Sequence, residues 1–225
     1  VIIPSYVCAS VLSAVNCTGA SAVLTDIGSD FSEEGYNISI RTIKPLITKK
    51  TRAIIVPHMF GVPANLEEIL EIGLPVIEDC AQSLGANYKN KKVGSVGKIG
   101  IFSFYATKVI STGHGGMVVT SDDKIKDNID NLTRYDKMER YRMSYNYEMS
   151  DIQAAIGIEQ LEKLKYFIEK RKEIGKKYDS AFENKSFRLP LRSYGGFPFR
   201  YVIKSSSGKD KEILLSSRQR IQART

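Results

Sequence analysis

The sequence predicts an α/β fold, a mostly parallel sheet lying between helices. Three observations lead there. Short apolar runs at Ile54–Val56, Pro75–Glu78 and Ile99–Phe104 are bounded by polar or turn residues, as buried strands are. Stretches with helix-like spacing alternate with those runs. The chain has 225 residues and is 42% hydrophobic, so it can bury a substantial core.

In chain order, Val1–Ile3 reads as the end of a strand, and residues 6–16 carry a helical pattern stopped by Gly19. Ala22–Ile27 is the next strand, followed by a polar connection and a weak helical pattern before Thr48. Arg52–Pro57 is a strand with an apolar interior. Asn65 reads as an N-cap, with Glu68 three residues on, for a helix to about Ile72. Pro75–Glu78 is a short buried strand, and Asp79 stands at its exit. Ile99–Phe104 and Met117–Thr120 are further strands around a glycine-rich turn, Gly113-His114-Gly115-Gly116. Ser121 caps a helix to about Leu132, and 134–147 has no clear period. Ser150-Asp151-Ile152-Gln153 is a capping box opening one long helix to about Phe182. Its apolar positions are Ile152, Ala155, Ile156, Leu161, Leu164, Phe167 and Ile168. Phe199–Ile203 reads as a strand of another unit, so two regions are expected: a large domain over 1–165, then a linking helix and the start of a smaller domain over 166–225.

The formal charge of +8 comes mainly from a late helix in which glutamates are interspersed, which suits a solvated face better than a nucleic-acid stripe. A basic surface also attracts phosphorylated small substrates. Cys8, Cys17 and Cys80 have no metal-type spacing, so reduced thiols in a cytoplasmic protein are expected, with no metal. No apolar run reaches membrane-spanning length, and the N-terminal apolar stretch lacks a basic leader. The sequence starts inside a strand-like run, which reads as a fragment.

In a parallel sheet, ligands sit beyond the carboxyl ends of the strands. Asp79 and the stretch 103–108 both fall at such ends. Lys108 is flanked by uncharged residues from Phe104 to Ile110. Desolvation favours a neutral lysine amine, and neutral lysine amines form Schiff bases with carbonyl compounds such as pyridoxal phosphate (PLP). A PLP ring works best with an acid at its nitrogen, a role open to Asp79, and its phosphate needs donors such as Ser103. Each residue also has a plainer reading: a surface lysine, a strand-end cap and a backbone-bonded hydroxyl.

Three motifs in register narrow the choice. PVIEDCAQSLGA (75–86), FSFYATKVISTGHGG (102–116) and YNYEMSDIQAAIG (145–157), supported by PSYVCAS (4–10) and AIIVPHMFG (53–61), resemble the DegT/StrS sugar aminotransferases. The likeness runs from Val1 to about Tyr178. It implies a three-layer, fold-type I PLP-dependent transferase, acting as a homodimer. By that resemblance Lys108 forms the Schiff base and shuttles the proton, Asp79 pairs with the pyridine nitrogen, Gln82 bonds the ring's 3-oxygen side, and Ser103 holds the phosphate. Cys8 falls where many relatives place an aromatic that stacks on the ring. Glu148 stands at a position where some relatives have asparagine, and His114 at one that is often glutamate. His58 borders the expected site without an assigned role. Relatives also carry an earlier Gly-Thr turn that binds the phosphate, which lies outside this sequence.

The implied reaction converts a nucleotide-linked keto sugar to an amino sugar, with glutamate as donor, in polysaccharide biosynthesis. A related dehydratase branch has histidine in place of the lysine, and Lys108 argues against it. The other reading is a cofactor-poor remnant or partner subunit of the same family.

Overall fold

A computed structural model describes residues 1–28, 35–133, 141, 143–183, 187–188 and 195–205. Its centre is a six-stranded sheet in the order β2-β1-β3-β4-β7-β8. β1 (Ile2–Pro4), β2 (Val23–Thr25), β3 (Ile54–Pro57), β4 (Val76–Asp79) and β7 (Ile99–Ser103) run parallel, and β8 (Gly116–Val119) closes one edge antiparallel to β7. The predicted α/β class is what the chain forms. β5 (Asn87–Tyr88) and β6 (Lys91–Lys92) make a small hairpin, and β9 (Phe187–Arg188) pairs with β10 (Lys204–Ser205) away from the main sheet.

Strand alternation sorts the apolar side chains onto two faces. Ile2, Ile54, Val56 and Val76 belong to the larger core, with Leu66, Ile69 and Phe197. Ile3 and Ile55 pack with Val11 and Val15 of α1 (Ala9–Cys17) on the other face, where Ile77 joins them. Each fully buried isoleucine contributes about 1.5–3 kcal/mol relative to exposure. The same alternation sends neighbouring Glu78 and Asp79 to opposite faces, a split that governs the site.

Several boundaries differ from expectation. The helix at 65–72 is a single turn, α3 (Glu67–Leu70), and Asn65 is not its cap, because its side-chain oxygen accepts the Tyr88 hydroxyl at 2.8 Å. α4 (Asp123–Thr133) is capped by Asp122, whose Oδ1 accepts the Ile125 N–H at 3.1 Å, rather than by Ser121. The weak pattern before Thr48 becomes one turn, α2 (Ile40–Ile43), with a 3-10 turn after it. The long late helix breaks at Lys163 into α5 (Asp151–Glu162) and α6 (Leu164–Phe182). Leu164, Phe167 and Ile168 of α6 pack on the core as expected, whereas Ile152, Ile156 and Leu161 of α5 stay exposed. Phe199–Ile203 is not a strand: its first residue is tied to the β3 exit instead. Residues 134–140 and 142, within the unpatterned stretch, lie outside the described residues.

Candidate active site

The site forms at the carboxyl edge of the parallel strands. β4 delivers Asp79 there, in register with Pro57 of β3 and Ile101 of β7. Its backbone carbonyl accepts the His58 N–H at 3.0 Å, which locks the ends of β3 and β4 together. The carboxylate is buried, and among the described residues it accepts one hydrogen bond, from Ala81 N–H to Oδ1 at 3.0 Å. Burial pushes the Asp79 carboxyl up from its ordinary value, more than the Ala81 bond and the charge of Lys108 pull it down. A buried carboxylate left short of partners gains from a cation placed beside it.

Lys108 lies on the turn that follows β7. The turn is fixed by backbone bonds from Lys108 N–H to Tyr105 O (2.9 Å) and from Thr112 N–H to Phe104 O (3.0 Å). The lysine is half-buried, and its charge reaches both Asp79 and Cys8. Cys8 stands exposed at the start of α1. Its sulfur accepts the Ser10 hydroxyl at 3.1 Å, and this bond, with the Ser10 backbone N–H, holds the thiol below its ordinary value. Gln82 turns toward β3: its Oε1 accepts the Phe60 N–H at 3.0 Å. Ser103 ends β7, half-buried, where its hydroxyl accepts the Tyr105 N–H at 3.4 Å. The structure therefore groups Lys108, Asp79 and Cys8 electrostatically and sets Gln82 and Ser103 on adjoining turns. Neither of those two side chains bonds to that trio among the described residues.

His58 and Glu78 belong to the opposite face and have a different task. Both are fully buried. The His58 Nδ1 accepts the Ala64 N–H at 2.9 Å, so Nε2 carries the proton donated to Glu78 Oε2 at 2.9 Å. Glu78 also accepts the N–H groups of Gly94, Val96 and Gly97 at 2.6–2.8 Å. Burial raises the Glu78 carboxyl, but His58, Gly97 and Gly94 outweigh it and hold it below its ordinary value. Cys80 lies close enough to both for a metal cluster, yet the carboxylate oxygens and Nδ1 are already taken by backbone donors. The group is a lock between the strand ends and the loop before β7.

His114 stands on the glycine-rich turn with its ring against Tyr105, centroids 5.3 Å apart. Its carbonyl accepts both the Thr112 hydroxyl and the Gln153 amide, so the capping box of α5 also fixes this turn. Gly115 holds φ +136°, where an added Cβ would meet Met149 Sδ at 2.8 Å. Glu148 is exposed.

Three residues at the site escaped sequence reasoning. Phe60 follows β3 with φ +55°, a left-handed conformation that is costly for a phenylalanine and concentrates at functional sites. Its ring closes an aromatic group with Tyr6 and Tyr36 at centroid separations of 5.2–6.3 Å. Phe199 and Arg171 arrive from far along the chain: the Lys108 Nζ lies 5.8 Å from the Phe199 ring centroid, and Arg171 bonds the Phe199 carbonyl at 2.9 Å. No local pattern marks either residue.

The chain matches the DegT/DnrJ/EryC1/StrS aminotransferase family over residues 1–212. It is 39% identical over 187 residues to the GDP-perosamine synthase of Escherichia coli O157:H7, covering 79% of this chain and 50% of that protein. It is 37% identical over 164 residues to the UDP-N-acetyl-3-dehydro-alpha-D-glucosamine 3-aminotransferase of Acidithiobacillus ferrooxidans, covering 69% and 43%. The chain spans about half the length of the curated relatives it matches. Among solved structures, Helicobacter pylori PseC, an aminotransferase involved in the biosynthesis of pseudoaminic acid, superposes with a TM-score of 0.86 at 26% identity. That match covers 96% of this chain and 62% of the other. The motifs, the sheet and these matches agree, and the chain belongs to the DegT/DnrJ/EryC1/StrS aminotransferase family.

Proposed function

We propose that the protein transfers an amino group from glutamate to a nucleotide-linked keto sugar, using PLP held at the carboxyl edge of the sheet. The observation that carries this is the buried Asp79 carboxylate, which accepts one hydrogen bond among the described residues and lies within the electrostatic reach of Lys108, an amine to which no carboxylate bonds among the described residues. This donor set suits PLP, whose aldehyde takes an amine and whose ring nitrogen takes an acid. The relatives support the substrate class, since one is named for a GDP-linked and another for a UDP-linked sugar.

PLP, when bound, supplies an electron sink for the carbon that carries the amino group. Lys108 would hold the cofactor through its Nζ and, once displaced by substrate, take and return the proton at that carbon. Asp79 would keep the ring nitrogen protonated. Gln82, already anchored through Phe60, would bond the ring's 3-oxygen side. Ser103 would donate its hydroxyl to the phosphate, and Cys8 would lie against the ring. The Glu78–His58 lock would keep Asp79 from moving as charge shifts.

The active unit is a homodimer in this reading. α5 carries the large apolar side chains Ile152, Ile156, Ile158 and Leu161, of a kind that is usually buried. Yet Ile152 is 76% exposed and Ile158 63%, and Tyr147 and Met143 in the stretch before the helix are exposed too. A second copy is the cover we infer. No helix among the described residues is long and apolar enough to cross a membrane, and a cytoplasmic location fits the reduced thiols and the substrate class.

The test is to incubate the full-length protein and PLP with glutamate and a panel of GDP- and UDP-linked keto sugars. The reading expects 2-oxoglutarate and an amino sugar in equal amounts. A protein that binds PLP but aminates no member of the panel contradicts the substrate assignment.

A further inference from the structure

We propose that Phe199 is a positioning residue for Lys108, its ring forming one wall of the lysine's pocket, and that Arg171 fixes this wall through the Phe199 backbone. The inference rests on the reading of Lys108 as the cofactor lysine. Phe199 is buried although it lies in an irregular segment far along the chain from Lys108. Four observations hold it in place. Its N–H donates to Phe60 O at 3.0 Å, and the Phe197 N–H donates to Gly61 O at 3.1 Å, so the segment is laced onto the exit of β3. Gly61 permits that approach: at φ +86° an added Cβ would stand 2.1 Å from Phe197 O. Arg171 of α6 donates from Nη1 to Phe199 O at 2.9 Å, with its guanidinium carbon 5.7 Å from the ring centroid. The Lys108 Nζ meets the same ring at 5.8 Å.

The contacts form a series that ends at the lysine. Gln82 holds the Phe60 N–H, the Phe60 carbonyl holds Phe199, and the Phe199 ring stands at Lys108. The negative face of an aromatic ring attracts an ammonium group and restricts where it can stand. Arg171 spends a half-buried guanidinium on one backbone carbonyl of this segment, which makes sense if the segment must not drift. Desolvation lowers the arginine's affinity for its proton, so the tie is maintained against a cost.

The test reads Lys108 directly. Cofactor-free protein is reductively methylated with limiting formaldehyde and cyanoborohydride, and each lysine peptide is quantified by mass spectrometry. Lys124 and Lys172, both exposed, serve as internal references. Phe199→Leu keeps apolar bulk but removes the ring face, so Lys108 methylation relative to the references should rise about threefold or more. Arg171→Met should move it in the same direction, less far, and Phe199→Tyr should leave it near wild type. Unchanged relative labelling in Phe199→Leu overturns the proposal, as does an equal rise at all three lysines, which would mean general loosening. A second readout uses added PLP: the pH midpoint of the visible imine absorbance should move in Phe199→Leu and return in Phe199→Tyr. If wild-type protein gives no imine at Lys108, the functional reading fails, while the methylation comparison still decides the position of the ring.

Discussion

Asp79→Asn should stabilise the cofactor-free protein while disabling the loaded one. The carboxylate is buried with one hydrogen bond among the described residues, and its pKa is raised, so the surroundings disfavour the ion on balance. The substitution keeps the volume and leaves an oxygen to accept the Ala81 N–H. Exchanging a charged acceptor for a neutral one weakens that bond by about 1 kcal/mol. Removing a buried ion relieves a desolvation penalty of several kcal/mol, partly offset in the wild type by the positive charge of Lys108. The relief wins, and a net gain of about 0.5–2 kcal/mol at neutral pH is expected, the size of an ordinary stabilising substitution. For a chain of this length each kcal/mol moves Tm by about 2–4 °C. The sign with pH follows. An acid whose pKa is raised on folding binds more protons in the native state, so wild-type stability falls as pH rises from the ordinary carboxylate value through the raised one. The gain from Asp79→Asn should therefore be present at neutral pH and fade in acid. Urea melts of both proteins at several pH values measure it. A loss of stability at neutral pH would refute the reasoning and make Asp79 a structural anchor.

The neighbouring residue should behave in the opposite way. Glu78→Gln turns one carboxylate oxygen into an NH2 group, which faces either the Gly94 N–H and His58 Nε2–H or the N–H groups of Val96 and Gly97, so two donors lose their acceptor at about 1–3 kcal/mol each, seen as a lowered urea midpoint. Because the Glu78 pKa is depressed, the wild-type contribution is held at neutral pH and is lost as pH falls through the folded value, measurable as acid-side loss of Tm. Ser10→Ala removes the chief donor to the Cys8 sulfur, so iodoacetamide should alkylate Cys8 more slowly near neutral pH, and bound PLP should protect Cys8 in the wild type. Ile158→Asp on the exposed face of α5 should halve the mass found by light scattering without unfolding the protein, as circular dichroism would check.

The sheet was legible because parallel strands buried on both faces are written as short apolar runs, and Ile54–Val56 and Val76–Ile77 show nothing else. The capping box at Ser150 was equally plain, since both of its bonds are local. Short-range signals misled at Asn65 and Ser121, where a tertiary partner and a neighbouring aspartate won. Lys108 and Asp79 stood out through their places at strand ends. The division of labour between Glu78 and Asp79 needed the strand's pleat and the loop at 94–97, and Phe199 needed the whole fold, because its partners lie on the turn after β3, on α6 and on the turn after β7.

The central claim is that Lys108 is the residue that bonds the cofactor. Protein incubated with PLP is reduced with borohydride, digested, and the peptides weighed, with Lys108→Ala in parallel. The account predicts one pyridoxyl adduct, on Lys108, and no yellow colour in the variant. An adduct on another lysine, or colour that survives Lys108→Ala and is reduced onto a different residue, would contradict it.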